Sequence, residues 1–285
     1  MLLIADAGAS KTDWCLLDSE GNIAKEFTSK GINSNYLSKD EILHRLSDAF
    51  LSLENSDVLL RIKKVHYFGS GCSTEQKQFV IEDCVAQFAP NADIMARHDI
   101  WGAAISLCGD NQGIACILGT GSNVCIYDGK KVVETPISVG YLLGDEGSGT
   151  HIGKKIITAY LKKKMPQHLQ SAFEKDYHFS PFDMLPKLYE HANVGTLLAS
   201  FAPFAVKYNN DEFIQSIVKE SFMDFFKEQL LPYPQSKEMK IHFAGSIAKL
   251  FEPILRQQCQ ELNLRLGNVI QKPILGLIKY YQSKY

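Results

Sequence analysis

Short apolar runs, each closed by a turn rich in Gly, Ser or Asp, open the chain and recur in its middle. Residues 2–5 form such a run, Asp6-Ala7-Gly8-Ala9-Ser10-Lys11 reads as a small polar turn, and residues 12–17 resume the run. After Asp18-Ser19-Glu20-Gly21-Asn22 a third stretch follows at 23–27. Apolar runs punctuated by turn residues predict strand, Gly turn, strand, turn, strand. Ser38 with Glu41 at its N3 position is a capping-box pattern, and predicts a helix through Phe50. Lys64–Gly69 reads as a strand, residues 73 or 74 to 88 as a helix, and 92–96 as a short strand ending at Arg97-His98-Asp99. The order β-β-β-α-β-α-β predicts a mixed sheet with helices packed on it.

The opening then repeats. Residues 114–118 are apolar, Gly119-Thr120-Gly121-Ser122-Asn123 is a tight turn, and 124–127 run into Asp128-Gly129-Lys130, with Gly121 standing 113 positions after Gly8. A duplicated α/β unit is the economical reading. Downstream, helical patterning covers 148–164, 180–191, 195–208, 211–229 and 246–262, residues 240–244 form a strand running into Gly245-Ser246, and the chain closes on an apolar stretch at 273–281.

A length of 285 residues suits two domains or one large one. With 30 Lys and Arg against 32 Asp and Glu, no excess of positive charge favours nucleic acid, and small molecules are the expected ligands. The 45% hydrophobic and 22% charged residues match an ordinary globular protein rather than a disordered or membrane chain. The seven cysteines, with no CxxC spacing, read as packed, reduced thiols of a cytoplasmic protein. The apolar start is interrupted by Asp6, too early for a signal peptide or a bilayer span.

A turn of Gly, Ser and Thr between two strands turns several backbone N–H groups into one concavity, which suits phosphate, and two such turns could hold a nucleotide tail. Either turn alone reads first as a plain hairpin, with Asp6 satisfying turn amides in the first, and two matched turns on duplicated units weigh against that. No GxxxxGK[ST] is present, and the glycines do not fit a dinucleotide fingerprint. Asp6, at the end of the first strand, suits a hydrated Mg²⁺. Asp99, between a strand and a helix, can accept a proton from a substrate hydroxyl or serve as an N-cap, with His98 as its structural neighbour. Gly140-Tyr141-Leu142-Leu143-Gly144-Asp145-Glu146-Gly147-Ser148-Gly149 sets two acids in a glycine-rich loop before a helix, a place for a polyhydroxylated ligand or a helix cap. Ala244-Gly245-Ser246 delivers a Gly into a helix start, where a flat base could lie against bare backbone.

Five blocks together, Asp6 to Thr12, Asn33-Ser34-Asn35, His98-Asp99, the Gly119 turn with Gly144-Asp145-Glu146-Gly147-Ser148, and Ala244-Gly245-Ser246, carry a resemblance. The sequence resembles the N-acetylglucosamine kinase and activator-ATPase branch of the actin, sugar kinase and heat-shock chaperone superfamily. The resemblance implies two duplicated ribonuclease H-like, actin-like ATPase domains, 1–105 and 106–272, with a nucleotide cleft between them and residues 273–285 packing back on the first. It implies ATP and Mg²⁺, with Asp6 at the metal and Gly8, Ser10, Lys11 and Thr12 at the terminal phosphates. Gly119, Thr120, Gly121 and Ser122 would form the second phosphate loop, and Gly245 and Ser246 would lie against adenosine. Asp99 would be the base for the 6-hydroxyl, and Asn35, Asp99, Thr120, Gly140 and Asp145 would hold the sugar, with Asn33 the alternative to Asn35. Two departures from the animal enzymes are Val139, where those carry Trp, and Asp6, where they carry Gly.

The resemblance therefore implies ATP-dependent phosphorylation of an amino sugar, foremost N-acetylglucosamine, to the 6-phosphate. An ATPase that moves a partner protein, or a non-catalytic sugar sensor, are the competing readings. The implied partner is a small sugar, with no nucleic acid or membrane, and a homodimer is left open.

Overall fold

A computed structural model describes residues 1–53, 56–178, 186, 188, 189 and 194–285. Its first elements are β1 (Leu2–Ala7), β2 (Lys11–Leu17), β3 (Ile23–Lys30), α1 (Lys39–Leu51), α2 (Ser56–Arg61), β4 (Lys64–Gly69), α3 (Glu75–Ala86), β5 (Asp93–His98) and α4 (Asp99–Cys108). There follow β6 (Gly113–Leu118), β7 (Ser122–Tyr127), β8 (Val132–Glu134), α5 (Gly140–Leu143), α6 (Gly149–Leu161), α7 (Gln167–Tyr177), α8 (Val194–Ala199), α9 (Ala202–Lys207) and α10 (Glu212–Phe225). A π-helical turn at Phe226–Leu230 precedes β9 (Ile241–Ala244), α11 (Ser246–Leu250), α12 (Glu252–Glu261), β10 (Leu266–Ile270) and α13 (Pro273–Gln282). The helix expected at 180–191 lies almost wholly outside the described residues.

The chain forms two compact units, Met1–Asn111 with Asp128–Val132 and Lys272–Tyr285, and Gln112–Tyr127 with Val133–Gln271. In the first, the sheet order is β3-β2-β1-β4-β5, with β1 antiparallel to β2 and parallel to β4. In the second it is β10-β9-β6-β7-β8, with β6 antiparallel to β7 and parallel to β9. Read from β8, the second sheet repeats the first strand for strand, and the duplication expected from the recurring turns is present in the topology.

Both faces of β1 are covered, which is why its sequence is a continuous apolar run rather than an alternation. Leu3, Ala5 and Ala7 join Trp14, Leu16 and residues of α1 and α3 in one core. Leu2 and Ile4 join Cys15, Leu17, Phe68 and the α13 residues Ile274, Leu277 and Ile278 in another. The closing apolar stretch is thus a helix of the first unit. The second unit packs α6, α7 and α10 around one aromatic-rich core, including Tyr160, Phe173, Phe222 and Phe225.

The turns are tighter than the sequence suggested. Ala7 pairs with Thr12 and the Gly8 N–H reaches the Lys11 carbonyl at 2.9 Å, so Asp6, Ala7 and Lys11 belong to strands. Leu118 pairs with Ser122, and the Gly119 N–H reaches the Gly121 carbonyl at 3.0 Å. Two helices expected as continuous are broken. Pro203 and Pro253 each stand in the first turn of the later piece, where the missing N–H is tolerated but cannot continue a preceding helix. The elements α2, α7, β8 and β10 had no clear signal in the sequence. All seven cysteines are buried.

Candidate functional site

In the first unit the chemistry-bearing residues gather at the C-terminal ends of β1, β4 and β5. The Gly8 turn is held from behind by Gly31, whose N–H donates to the Ser10 carbonyl at 3.1 Å and where a Cβ would come 2.4 Å from the Ala9 carbonyl oxygen. Ser10 and Lys11 are exposed, and the Lys11 ammonium pairs with Asp13 at 2.6 Å. Thr12 is fully buried, its hydroxyl turned to the Lys30 carbonyl at 3.4 Å, so its side chain serves the sheet.

Asp6 points to the face covered by α13. Burial, then the charges of Asp99 and Asp13, push its carboxyl up to about 7, against the opposing pull of the Ile274 N–H and of Lys11. Carboxylates that repel one another across a buried spot are an arrangement that a divalent cation relieves. Among the described residues no group of three or more His, Cys, Asp and Glu is placed to hold a metal. One or two carboxylates at a buried spot suit a cation that keeps most of its waters, as Mg²⁺ does.

Asp99 opens α4, and its Oδ1 lies 2.7 Å from His98 Nδ1. The N-cap position itself belongs to His98, whose Nδ1 is also 3.5 Å from the Ile100 amide. Nδ1 accepts the Ile100 N–H, and Asp99 Oδ1 is buried with no hydrogen-bond partner among the described residues, so the 2.7 Å approach is a contact of charge. Burial opposes a charge on His98, but the Asp99 carboxylate beside it outweighs burial and raises its pKa. Asn33 is half-buried and its Oδ1 accepts the Asn35 N–H at 2.9 Å, while exposed Asn35 accepts from the Lys77 ammonium.

In the second unit three glycine-bearing loops stack at the ends of β6 and β9. The Gly119 carbonyl accepts the Gly149 N–H at 2.8 Å, and the Thr120 carbonyl accepts the Thr150 N–H at 3.0 Å and hydroxyl at 2.7 Å. Gly245 has φ +119°, and a Cβ there would sit 2.2 Å from the Leu118 carbonyl oxygen, so only glycine allows this approach. Ser246 follows, exposed, at the start of α11. Asp145 has φ +59° and accepts the Ser122 N–H at 3.0 Å. Ser148, not Asp145, caps α6, accepting the His151 N–H at 3.2 Å. The Gly147 N–H donates to His151 Nδ1 at 3.3 Å, and Ser221 Oγ lies 2.9 Å from the same nitrogen.

A pocket of about 200 Å³ opens beside these loops, lined by Ser122, Asn123, Val139, Asp145, Glu146 and Gln229 among others. Of the residues expected from sequence, Gly119 to Ser122, Asp145 and Gly245 are brought into contact in this unit. Gly140 opens α5 with φ +68° and no atom within 4 Å of a would-be Cβ. Sequence reasoning passed over Gln229, whose Nε2 donates to Ser122 Oγ at 2.9 Å and to Glu146 Oε2 at 2.6 Å. Glu146 was findable as the second acid of the glycine-rich loop, whereas nothing local marks Gln229.

No family model matches the chain. A solved structure from Porphyromonas gingivalis, named for a candidate N-acetylglucosamine kinase, is 36% identical, covers 99% of both chains and superposes with a TM-score of 0.93. The chain belongs to the N-acetylglucosamine kinase branch of the actin-like ATPase superfamily. A Streptomyces griseus ROK-family glucokinase, solved with glucose and AMPPNP, shares the fold of this branch at 12% identity and a TM-score of 0.57, over 98% of this chain and 97% of its own. The N-acetylmuramic acid/N-acetylglucosamine kinase of Clostridium acetobutylicum is 29% identical over 164 residues, 55% of this chain. That match spans about half of the curated relative, 52% of its length. Among the described residues no helix is long and apolar enough to cross a membrane.

Proposed function

We propose that the protein is an ATP-dependent kinase of an amino sugar, foremost N-acetylglucosamine, forming the 6-phosphate. The observation that carries this reading is the Asp99 carboxylate, 2.7 Å from His98 Nδ1 at the end of β5, in the same unit as the Gly8 turn. A carboxylate there can take the proton of a sugar hydroxyl or of an attacking water, so the dependence of ADP release on sugar separates a kinase from an ATPase.

Phosphoryl transfer is accelerated chiefly by positioning and by neutralising charge on the phosphates. In this reading the Gly8 turn, through Ser10 and Lys11, and the Gly119 turn, through the Gly121 N–H and the Ser122 hydroxyl, bind phosphate oxygens, with the Lys11 ammonium adding charge. Thr12 then contributes backbone alone. Gly245 and Ser246 offer a flat surface to adenosine. Asn35, Thr120, Gly140 and Asp145 hold sugar hydroxyls and the acyl group, and Asp99 accepts the 6-hydroxyl proton, which moves to its carboxylate. Asp6 would hold Mg²⁺, which when bound supplies positive charge to the phosphates.

ADP release measured over a panel of hexoses, amino sugars and their N-acyl forms tests this. Turnover that depends on an amino sugar, and that falls about 10² to 10⁴-fold in Asp99→Asn, is the expected result. ADP release independent of sugar would point instead to a partner-moving ATPase, and sugar binding without turnover to a sensor.

A further inference from the structure

The π-helical turn Phe226–Leu230 ends α10 and is closed by the Leu231 N–H reaching back five residues to the Phe226 carbonyl at 2.8 Å. Such turns displace side chains from the α-helical register and recur at functional sites. Here the displaced residue is Gln229, 107 positions from Ser122 in sequence, and its amide lies on the wall of the pocket beside the two loops. We infer that Gln229 is a positioning residue that sets the hydroxyl of Ser122 as a donor toward a bound phosphate and ties it to the Glu146 loop.

The orientation of the amide follows from its partners. An ionised Glu146 carboxylate can only accept, so the face of Gln229 at 2.6 Å from it is the NH₂ group. The same nitrogen lies 2.9 Å from Ser122 Oγ, and its second hydrogen points there. Both amide hydrogens are then spent, one on each loop. A hydroxyl that accepts at its oxygen keeps its own hydrogen for another acceptor. Ser122 also gives its N–H to Asp145 at 3.0 Å, so of its two donors only the hydroxyl is left for a ligand oxygen. The bridge spans the turn after β6 and the loop before α6, the two segments that also meet through the Gly119 carbonyl and the Gly149 N–H.

This inference rests on the reading of the Gly119 turn as a phosphate loop, and a double-mutant cycle separates the two. The dissociation constant of the non-hydrolysable analogue AMPPNP, with Mg²⁺, is measured by calorimetry for wild type, Ser122→Ala, Gln229→Ala and the double variant, beside the melting temperature of each. Gln229→Met repeats the measurement with the side-chain volume kept, should the alanine variant fold poorly. Coupled residues give non-additive effects. The expected result is a loss of roughly tenfold for each single variant and no more than about twofold beyond the worse single for the double. A Kd within about twofold of wild type in Gln229→Met, or two losses that multiply to about a hundredfold, would overturn the role of Gln229 alone. No analogue binding by the wild-type chain would overturn the phosphate-loop reading, and the role of Gln229 with it.

Discussion

Two residues of this molecule occupy positions that a stability-minded sequence would avoid. Gly245 adopts φ +119° with the Leu118 carbonyl where its Cβ would be, and neither the backbone nor the carbonyl can yield cheaply. Gly245→Ala is expected to destabilise the second unit by about 2 to 4 kcal/mol, through strain at a conformation closed to side chains and a backbone clash. A urea midpoint indistinguishable from wild type would show that β9 and the Gly119 turn are free to part. Asp6 is the other case. Its carboxyl, at about 7, is charged at alkaline pH against burial and the charges of Asp99 and Asp13. A folded-state pKa above the unfolded value means that the cost is absent below about pH 4 and complete above about pH 7. Asp6→Asn, which keeps an oxygen for the Ile274 N–H, is therefore expected to melt about 3 to 6 °C higher at pH 8, with the gain vanishing near pH 4, while losing turnover. Thermal scans at both values check the sign. A variant less stable than wild type at pH 8 would mean that Asp6 is held ionised by contacts stronger than its repulsions.

At the scale of elements, the C-terminal helix shows how a distant segment completes a sheet. Leu277 of α13 is fully buried with Leu2, Ile4 and Phe68. Leu277→Ala leaves a cavity over the central strand and is expected to cost about 2 to 5 kcal/mol, read as a lowered urea midpoint. A loss below about 1 kcal/mol would mean that the helix is dispensable to the first unit. The helical character of 273–281 was not evident from its apolar stretch alone, because a short apolar segment is equally a strand or a helix until its partners are known. Strands such as Lys64–Gly69 were legible to the residue, since the buried Val65, Tyr67 and Phe68 make a compact run that ends abruptly in turn residues. The capping box at Ser38 and Glu41 was equally legible, being local, and both of its hydrogen bonds are present. The breaks at Pro203 and Pro253 were written in the sequence but masked by helical periodicity on either side. For the candidate site, the glycine-rich turns could be read because close backbone approach demands small residues. Gln229 could not, because its role depends on a π-helical turn and on two loops far away in the chain. Thr12 looked like part of a phosphate turn and is instead buried, because the strand begins one residue earlier than the apolar run does.

Proton binding connects single buried groups to the stability of the whole molecule. His66 on β4 stands edge-on to Tyr281, ring centroids 4.6 Å apart, and its buried Nδ1 has no hydrogen-bond partner among the described residues. Burial foremost, and then the charge of Lys64, push its pKa down to about 4. Burial lowers His151 and His242 in the same direction, in the second unit. An unfolded histidine titrates near 6.5, so between about pH 6.5 and 4 the unfolded chain takes up a proton that folded His66 refuses. The stability due to neutral His66 is thus complete above about pH 6.5 and drains away as pH falls toward its folded value. Asp6 runs the other way over much of the same interval, and a pH scan of the wild type alone would mix the two. The comparison of wild type with His66→Phe removes Asp6 from the difference. Linkage amounts to about 1.4 kcal/mol per pH unit, so the variant should gain on the order of 2 kcal/mol relative to wild type between about pH 7.5 and pH 5. Urea unfolding of both proteins at the two values measures it. A constant gap between the two curves would mean that His66 takes up its proton without hindrance, and that the contact with Tyr281 leaves the ring open to water.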